Sequence, residues 1–94
     1  MEIKEIAKRN YQAQVRRGLI TPKTDTLTFL IKLFEESEEL LQSFYKKRGW
    51  EIPNFDKIEL ADVALVCFAM AEHFKVDLIV EMEKKMLFNE TRED

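Results

Sequence analysis

Two pairs of acidic residues lie at helical spacing in this chain. Glu36 and Glu39 belong to an acidic run at residues 35–39, and Glu59 and Asp62 form a second pair farther along. Residues three apart on a helix are neighbours on one face, so each pair presents its carboxylates together. Carboxylates brought close together repel one another, and burying them unpaired is costly. The pattern therefore predicts a site for a hard divalent cation.

The ligand chemistry of this predicted site favours Mg²⁺, with Mn²⁺ as the alternative ion. Oxygen donors without cysteine or histidine are typical of these ions rather than of zinc. Two structural interpretations compete with the metal site. The run at residues 35–39 is also what a solvated helix face looks like, and Asp62 could be a core acid paired with a lysine or arginine.

The apolar pattern of the helix that carries the acidic run favours a different glutamate. On a helical wheel Glu38 lies nearest the stripe that contains Phe34 and Leu41, whereas Glu36 and Glu39 lie to the other side of that stripe. The metal interpretation therefore requires that this other side is covered, either by the third helix or by a second subunit.

Four helices are predicted to position these residues. Only two glycines and two prolines interrupt the chain, which favours helices over a strand-rich fold. The predicted helices run from Ile3 to about Arg17, with Gly18 as the stop; from Thr24 or Asp25 to before Gly49; from Asn54 or Asp56 to near Phe74; and from Asp77 to about Asn89. We expect an all-α fold, a small four-helix-type bundle in a single domain over residues 1–94.

Composition and charge narrow the class of protein. The chain is 46% hydrophobic and 35% charged, and its net charge of -3 does not suggest a nucleic-acid surface. Its single cysteine, Cys67, allows no internal disulfide and fits a reducing compartment. The sequence contains no long uncharged apolar run and no secretory signal. We expect a cytoplasmic protein with neither a membrane nor a nucleic-acid polymer as its partner.

The acidic pairs carry a resemblance to a known family. The motif Glu35-Glu36-x-x-Glu39, followed by Glu59-x-x-Asp62 on an apolar helix, is similar to the signature of the MazG-like all-α nucleoside-triphosphate pyrophosphohydrolases. The end of the chain, Lys-Met-Leu-Phe-Asn-Glu-Thr-Arg at residues 85–92, resembles the closing Lys, Asn and Arg pattern of that family. The combination is more specific than either acidic pair alone.

The resemblance implies an activity and a role for each matching residue. The implied reaction is Mg²⁺-dependent cleavage of a nucleoside triphosphate to a monophosphate and pyrophosphate. By position, the implied metal ligands are Glu36, Glu39, Glu59 and Asp62, and the implied phosphate-binding residues are Lys85, Asn89 and Arg92. Glu35 or Glu38 is expected to take the proton of the attacking water. Tyr45 and Trp50, near the loop after the second helix, are candidates for stacking on the base.

The resemblance also implies a dimer or an assembly of dimers, and the third helix supports this expectation. That helix is apolar on every side, so a second chain is expected to cover what three other short helices leave exposed. Two alternative functions stay open. One is a related phosphohydrolase of the phosphoribosyl-ATP type, and the other is a non-enzymatic helical module whose acidic patch binds a basic partner.

Overall fold

Residues 1–93 are described by a computed structural model, and Asp94, the last residue of the predicted domain, lies outside the described residues. The described chain folds into helices joined by short loops. Their bounds are α1 Ile3–Arg16, α2 Thr26–Lys46, α3 Lys57–His73 and α4 Leu78–Thr91. The predicted all-α class is confirmed, and each helix lies close to its predicted range.

Local sequence signals account for where the helices begin and end. An aspartate precedes each of α2, α3 and α4, and its carboxylate accepts a hydrogen bond from a first-turn backbone N–H group that would otherwise be unsatisfied. These three aspartates are Asp25, Asp56 and Asp77. After α1, Gly18 adopts a positive φ of 76°, a conformation that glycine accepts without steric cost.

Helix α3 is the centre of the fold. It packs against α2 on one side and against α1 on another, which explains why its sequence is apolar on more than one face. The buried core joins Ile20, Phe29 and Ala69, with Tyr11 and Met70 packed against them. The side of α2 that carries Phe29 is therefore the side that faces α3.

The buried face of α2 is not its apolar stripe. Its buried residues are Phe29, Glu36 and Ser43, which are seven residues apart and so lie along one side of the helix. The apolar stripe points elsewhere, with Phe34 69% exposed and Leu41 51% exposed. The predicted condition for the metal interpretation, that the third helix covers the side of Glu36, is met within one chain.

A histidine at the end of α3 forms hydrogen bonds to α1 and to the loop before α2. The two ring nitrogens of His73 lie 2.8 Å from the Tyr11 hydroxyl and 2.8 Å from the Thr24 carbonyl oxygen. Because the carbonyl can only accept, Nε2 carries a proton and donates to it, and Nδ1 accepts from Tyr11. Both nitrogens are therefore used in holding the helices together.

Helix α4 differs from the other helices in its surroundings. None of its residues is buried, and among the described residues it makes no packing contact comparable with those of α1 and α2 on α3. Its apolar side chains Met82, Met86, Leu87 and Phe88 are all exposed. Within residues 1–93, no helix has the length and apolar character needed to cross a membrane.

Candidate metal centre

Three carboxylates converge where α2 packs on α3. Glu36 comes from α2, and Glu59 and Asp62 come from successive turns at the start of α3. One oxygen from each residue lies within 4.8 Å of the others. Each oxygen is a hard donor of the kind that Mg²⁺, Mn²⁺ and Ca²⁺ prefer. These are three of the four residues for which the sequence predicts a metal role.

The burial of these carboxylates provides an independent reason to expect a cation. Glu36 is only 7% exposed, and its Oε2 atom has no hydrogen-bond partner among the described residues. The Oε2 atom of Glu59 is likewise buried and unpartnered within residues 1–93. Burying a charged oxygen without a partner is costly, and a coordinated cation removes that cost. The residues present therefore fit a divalent ion.

Lys32 supplies one positive charge at the edge of this cluster. Its Nζ lies 2.8 Å from Oε1 of Glu36, one helical turn away on α2. The hydrogen bond to Glu36 raises the pKa of the Lys32 ammonium group, so the lysine stays charged. Glu36 thus has one oxygen paired with Lys32 and the other buried without a partner among the described residues. This pairing was not predicted from the sequence, although a lysine four residues before a glutamate on a helix is its signal.

Glu39, the fourth predicted metal residue, lies beside the cluster rather than inside it. It is exposed on α2 and is not one of the three residues whose oxygens converge. The negative charge of Glu36 raises the pKa of the Glu39 carboxyl, with desolvation as a smaller cause. Glu39 therefore interacts electrostatically with the cluster, and its role as a metal ligand stays a prediction.

An open groove of about 710 Å³ runs alongside the carboxylates. The residues that line it come from α2 and from the start of α3: Glu35, Glu38, Glu39, Gln42, Ser43, Lys46, Asp56 and Glu59. Glu35 and Glu38, the predicted general bases, are thus on the same wall as Glu39. The groove falls within the range of about 300–1,000 Å³ that is usual for small-molecule sites.

A buried serine fixes the two walls of this groove relative to each other. The Ser43 hydroxyl donates to the Leu40 carbonyl oxygen at 2.6 Å and accepts from the Asp56 backbone N–H at 3.0 Å. Asp56 also caps α3, because its carboxylate accepts from the Ile58 backbone N–H. The contact joins the last third of α2 to the first turn of α3, next to Glu59. The sequence alone did not single out Ser43.

The predicted phosphate-binding residues lie together at the end of α4, on a different element from the carboxylates. The Lys85 Nζ is 4.6 Å from the centroid of the Phe88 ring, and the Arg92 Cζ is 6.0 Å from it. Asn89 is on the intervening turn, whereas Arg92 follows the helix in an extended conformation. Within one chain α4 does not pack on α2, so this group and the acidic cluster are separate in the described residues.

The two aromatic residues predicted to stack on a base are both exposed. The Arg48 guanidinium lies 5.3 Å from the centroid of the Trp50 ring, and Tyr45 packs edge-on against Phe44 at a centroid distance of 5.3 Å. Neither Tyr45 nor Trp50 is among the described residues that line the groove. Their role in base stacking stays a prediction.

Comparisons of the chain with protein-family models, with curated proteins and with solved structures find no match.

Proposed function

We propose that this protein is a Mg²⁺-dependent nucleoside triphosphate pyrophosphohydrolase that cleaves (d)NTP to (d)NMP and pyrophosphate. The observation that carries the proposal is that Glu36, whose Oε2 atom is buried without a partner among the described residues, converges with Glu59 and Asp62 to within 4.8 Å. A surface patch that served only for solubility would have no reason to bury charged oxygens without partners. The MazG-like motifs supply the substrate class.

The groove beside the cluster is suited to binding a phosphorylated substrate only when a cation is bound. Its wall carries acidic side chains from Glu35 to Glu59, with Lys46 as the one cation among the described lining residues. A polyphosphate would be repelled by that wall. When bound, Mg²⁺ would neutralise phosphate oxygens and lower the pKa of a coordinated water.

The residues of the groove wall are suited to the proton transfer. Glu35 and Glu38 are exposed and line the groove, so either carboxylate is accessible to a water molecule positioned near the metal site. A carboxylate within hydrogen-bond reach of the attacking water acts as the general base. In this proposal the water attacks near the α-phosphate and pyrophosphate leaves. The proposed substrates are cytoplasmic metabolites, so a cytoplasmic location belongs to the proposal.

The separation of α4 from the acidic cluster supports a dimer or a dimer of dimers as the active form. Lys85, Asn89 and Arg92 would then approach the phosphates from a second copy, and the exposed apolar side chains of α4 and α2 would be buried between the copies. Obligate subunit interfaces are apolar in this way. The positive groups of α4 would balance the charge of the bound triphosphate.

A product analysis tests the proposal. Purified protein is incubated with a panel of nucleoside and deoxynucleoside triphosphates and Mg²⁺, and pyrophosphate and orthophosphate are quantified separately. The proposal predicts pyrophosphate from at least one substrate, and loss of that product in Asp62→Asn, a variant that keeps the side-chain size and removes the charge. The control is Glu83→Gln on the exposed face of α4, which should keep activity.

The other outcomes identify the competing functions. Release of orthophosphate would indicate a different phosphohydrolase reaction. Phosphoribosyl-ATP is included in the same panel, and its cleavage without cleavage of any (d)NTP would indicate the related pyrophosphohydrolase. No turnover of any nucleotide would favour a non-enzymatic module. Full activity in Asp62→Asn would remove the site assignment.

A further inference from the structure

Lys32 and Glu36 form an ion pair at the acidic cluster, and the two carboxylate oxygens of Glu36 have different surroundings. Oε1 contacts the Lys32 Nζ at 2.8 Å, while Oε2 is buried and has no hydrogen-bond partner among residues 1–93. The ammonium group is on the solvent side, since the Lys32 side chain is 53% exposed. Lys32 therefore contacts a candidate metal ligand without entering the buried cluster itself.

The charge balance of the cluster depends on this lysine. Glu36, Glu59 and Asp62 carry three negative charges when ionised, and Lys32 reduces their sum to two, because -3 + 1 = -2. A lysine held at hydrogen-bond distance from a metal ligand also repels any cation that the ligand binds. Removing its charge would leave a more negative site that attracts a divalent ion more strongly.

We propose that Lys32 is a positioning residue that competes with the divalent cation for Glu36 and thereby keeps the affinity of the free metal ion low. This inference rests on the proposed function, because it concerns the same metal site. A metal ion bound to the other oxygen of Glu36 would lie close to the Lys32 ammonium group, and the repulsion between the two cations would lower the affinity for the ion. A polyphosphate bound to the same ion adds negative charge that offsets this repulsion. Metal and nucleotide are therefore expected to bind cooperatively in the wild type.

The size of the effect follows from the charges. Two unit charges about 4 Å apart interact by roughly two RT even at the dielectric constant of water, and a divalent ion doubles that interaction. Solvent around the half-exposed lysine and relaxation of Glu36 reduce the effect. We expect Lys32→Met to bind free Mn²⁺ about tenfold more tightly than the wild type, and to lose most of the cooperativity with nucleotide.

The experiment measures Mn²⁺ affinity by the loss of the free-ion electron paramagnetic resonance signal, with and without a non-hydrolysable triphosphate analogue. The variants are Lys32→Met, Lys32→Arg and Lys47→Met, all in the full chain. Lys47→Met is the matched control, because it removes another lysine that pairs with a glutamate four residues later, Glu51, and Lys47 does not line the groove. Lys32→Arg keeps the charge and can contact a carboxylate through two N–H groups, so it is expected to bind Mn²⁺ no more tightly than the wild type.

Each possible result of this experiment either supports or contradicts the proposed role of Lys32. Tighter binding in Lys32→Met, with Lys47→Met changed by less than about twofold, would support it. Equal or weaker binding in Lys32→Met, equal tightening in Lys47→Met, or tighter binding in Lys32→Arg would overturn it. If Lys32→Met does not fold, Lys32→Gln, which also removes the charge, replaces it with the same expected tightening. Metal-dependent turnover with unchanged affinity in Lys32→Met would refute only the role of Lys32, whereas no Mn²⁺ binding by any variant would refute the proposed function as well.

Discussion

Replacing Glu36 by glutamine should have opposite effects on stability with and without metal. Glu36 is buried and its oxygen lies within 4.8 Å of those of Glu59 and Asp62. At that distance two unit charges repel by about 0.9 kcal/mol in water and about 3.5 kcal/mol at an effective dielectric constant of 20. Removing Glu36 therefore relieves at least about 1.7 kcal/mol from its two neighbours.

Other contacts change at the same time. The variant loses the ion pair between the buried Glu36 and the half-exposed Lys32. Because the lysine can return to solvent, we take for this loss the value of about 0.3–0.5 kcal/mol measured for helical pairs at this spacing. The new amide also has N–H groups that can donate to the carboxylates of Glu59 and Asp62. The net expectation in the absence of metal is a gain of about 1–2 kcal/mol in the free energy of unfolding, or roughly 4–16 °C in Tm for a domain of this size.

Bound metal should reverse the order of stability of the wild type and the Glu36→Gln variant. A ligand at a hundred times its Kd stabilises the native state by about 2.7 kcal/mol, and wild type should gain that amount from Mg²⁺ while Glu36→Gln gains far less. The assay is scanning calorimetry in EDTA and in a Mg²⁺ series, with the exposed Glu83→Gln as the matched control. If the variant is less stable than wild type in EDTA and gains as much stability from Mg²⁺, both the carboxylate repulsion and the metal binding assigned to Glu36 are wrong.

Three further predictions concern the tail, the assembly and a helix cap. Ending the chain after Phe88 should lower kcat/KM by at least tenfold, which is about 1.4 kcal/mol. It should barely shift Tm, because residues 89–93 are exposed. Normal kinetics in the truncated protein would indicate that Lys85, Asn89 and Arg92 form an ordinary helix end without a phosphate-binding role. Sedimentation at micromolar concentration should detect a dimer or tetramer, since apolar side chains on α2 and α4 are exposed in one chain, and a compact monomer would contradict this. The hydrogen bond from the Thr28 hydroxyl holds the pKa of Asp25 below its ordinary value of 3.8. A lowered pKa contributes stability that is present above the ordinary value and is lost as pH falls through the folded value. Asp25→Asn should therefore be less stable than wild type at pH 7 in urea unfolding, and the gap should narrow as the pH falls below 3.8; a gap that does not depend on pH would contradict the assignment.

The helices and their caps could be predicted from the sequence because their determinants are local. An aspartate one or two residues before an apolar run, as at Asp56 and Asp77, is itself the group that satisfies the free N–H groups. The left-handed conformation at Gly18 is likewise set by the residue type. The all-α class followed from the same signals.

The orientation of α2 could not be predicted from its apolar periodicity. The stripe that contains Phe34 and Leu41 would be buried if hydrophobicity alone decided, yet the face with Phe29 and Glu36 packs on α3. The resemblance favoured Glu36 instead, because Glu35 and Glu38 have the same three-residue spacing as Glu36 and Glu39 and spacing alone does not choose between them. Periodicity measures how much apolar surface a helix has on each side, and it does not say which neighbour covers it.

The contacts between helices could not be predicted from the sequence either. The pairing of Lys32 with Glu36 and the bridge from Ser43 to Asp56 depend on which face of α2 meets α3. The separation of Lys85 from the carboxylates depends on α4 leaving the packed helices. A motif assigns residues to one site without stating whether they come from one chain or from two.

The position of a bound metal ion tests most directly whether the acidic cluster is the metal site. A crystal of the protein with Mn²⁺ and a non-hydrolysable deoxynucleoside triphosphate is measured at the manganese absorption edge, so that anomalous density marks the ion. We expect a peak bound by Glu36, Glu59 and Asp62, with phosphate oxygens of the nucleotide on the same ion. A peak elsewhere, or none at saturating Mn²⁺, would contradict this assignment.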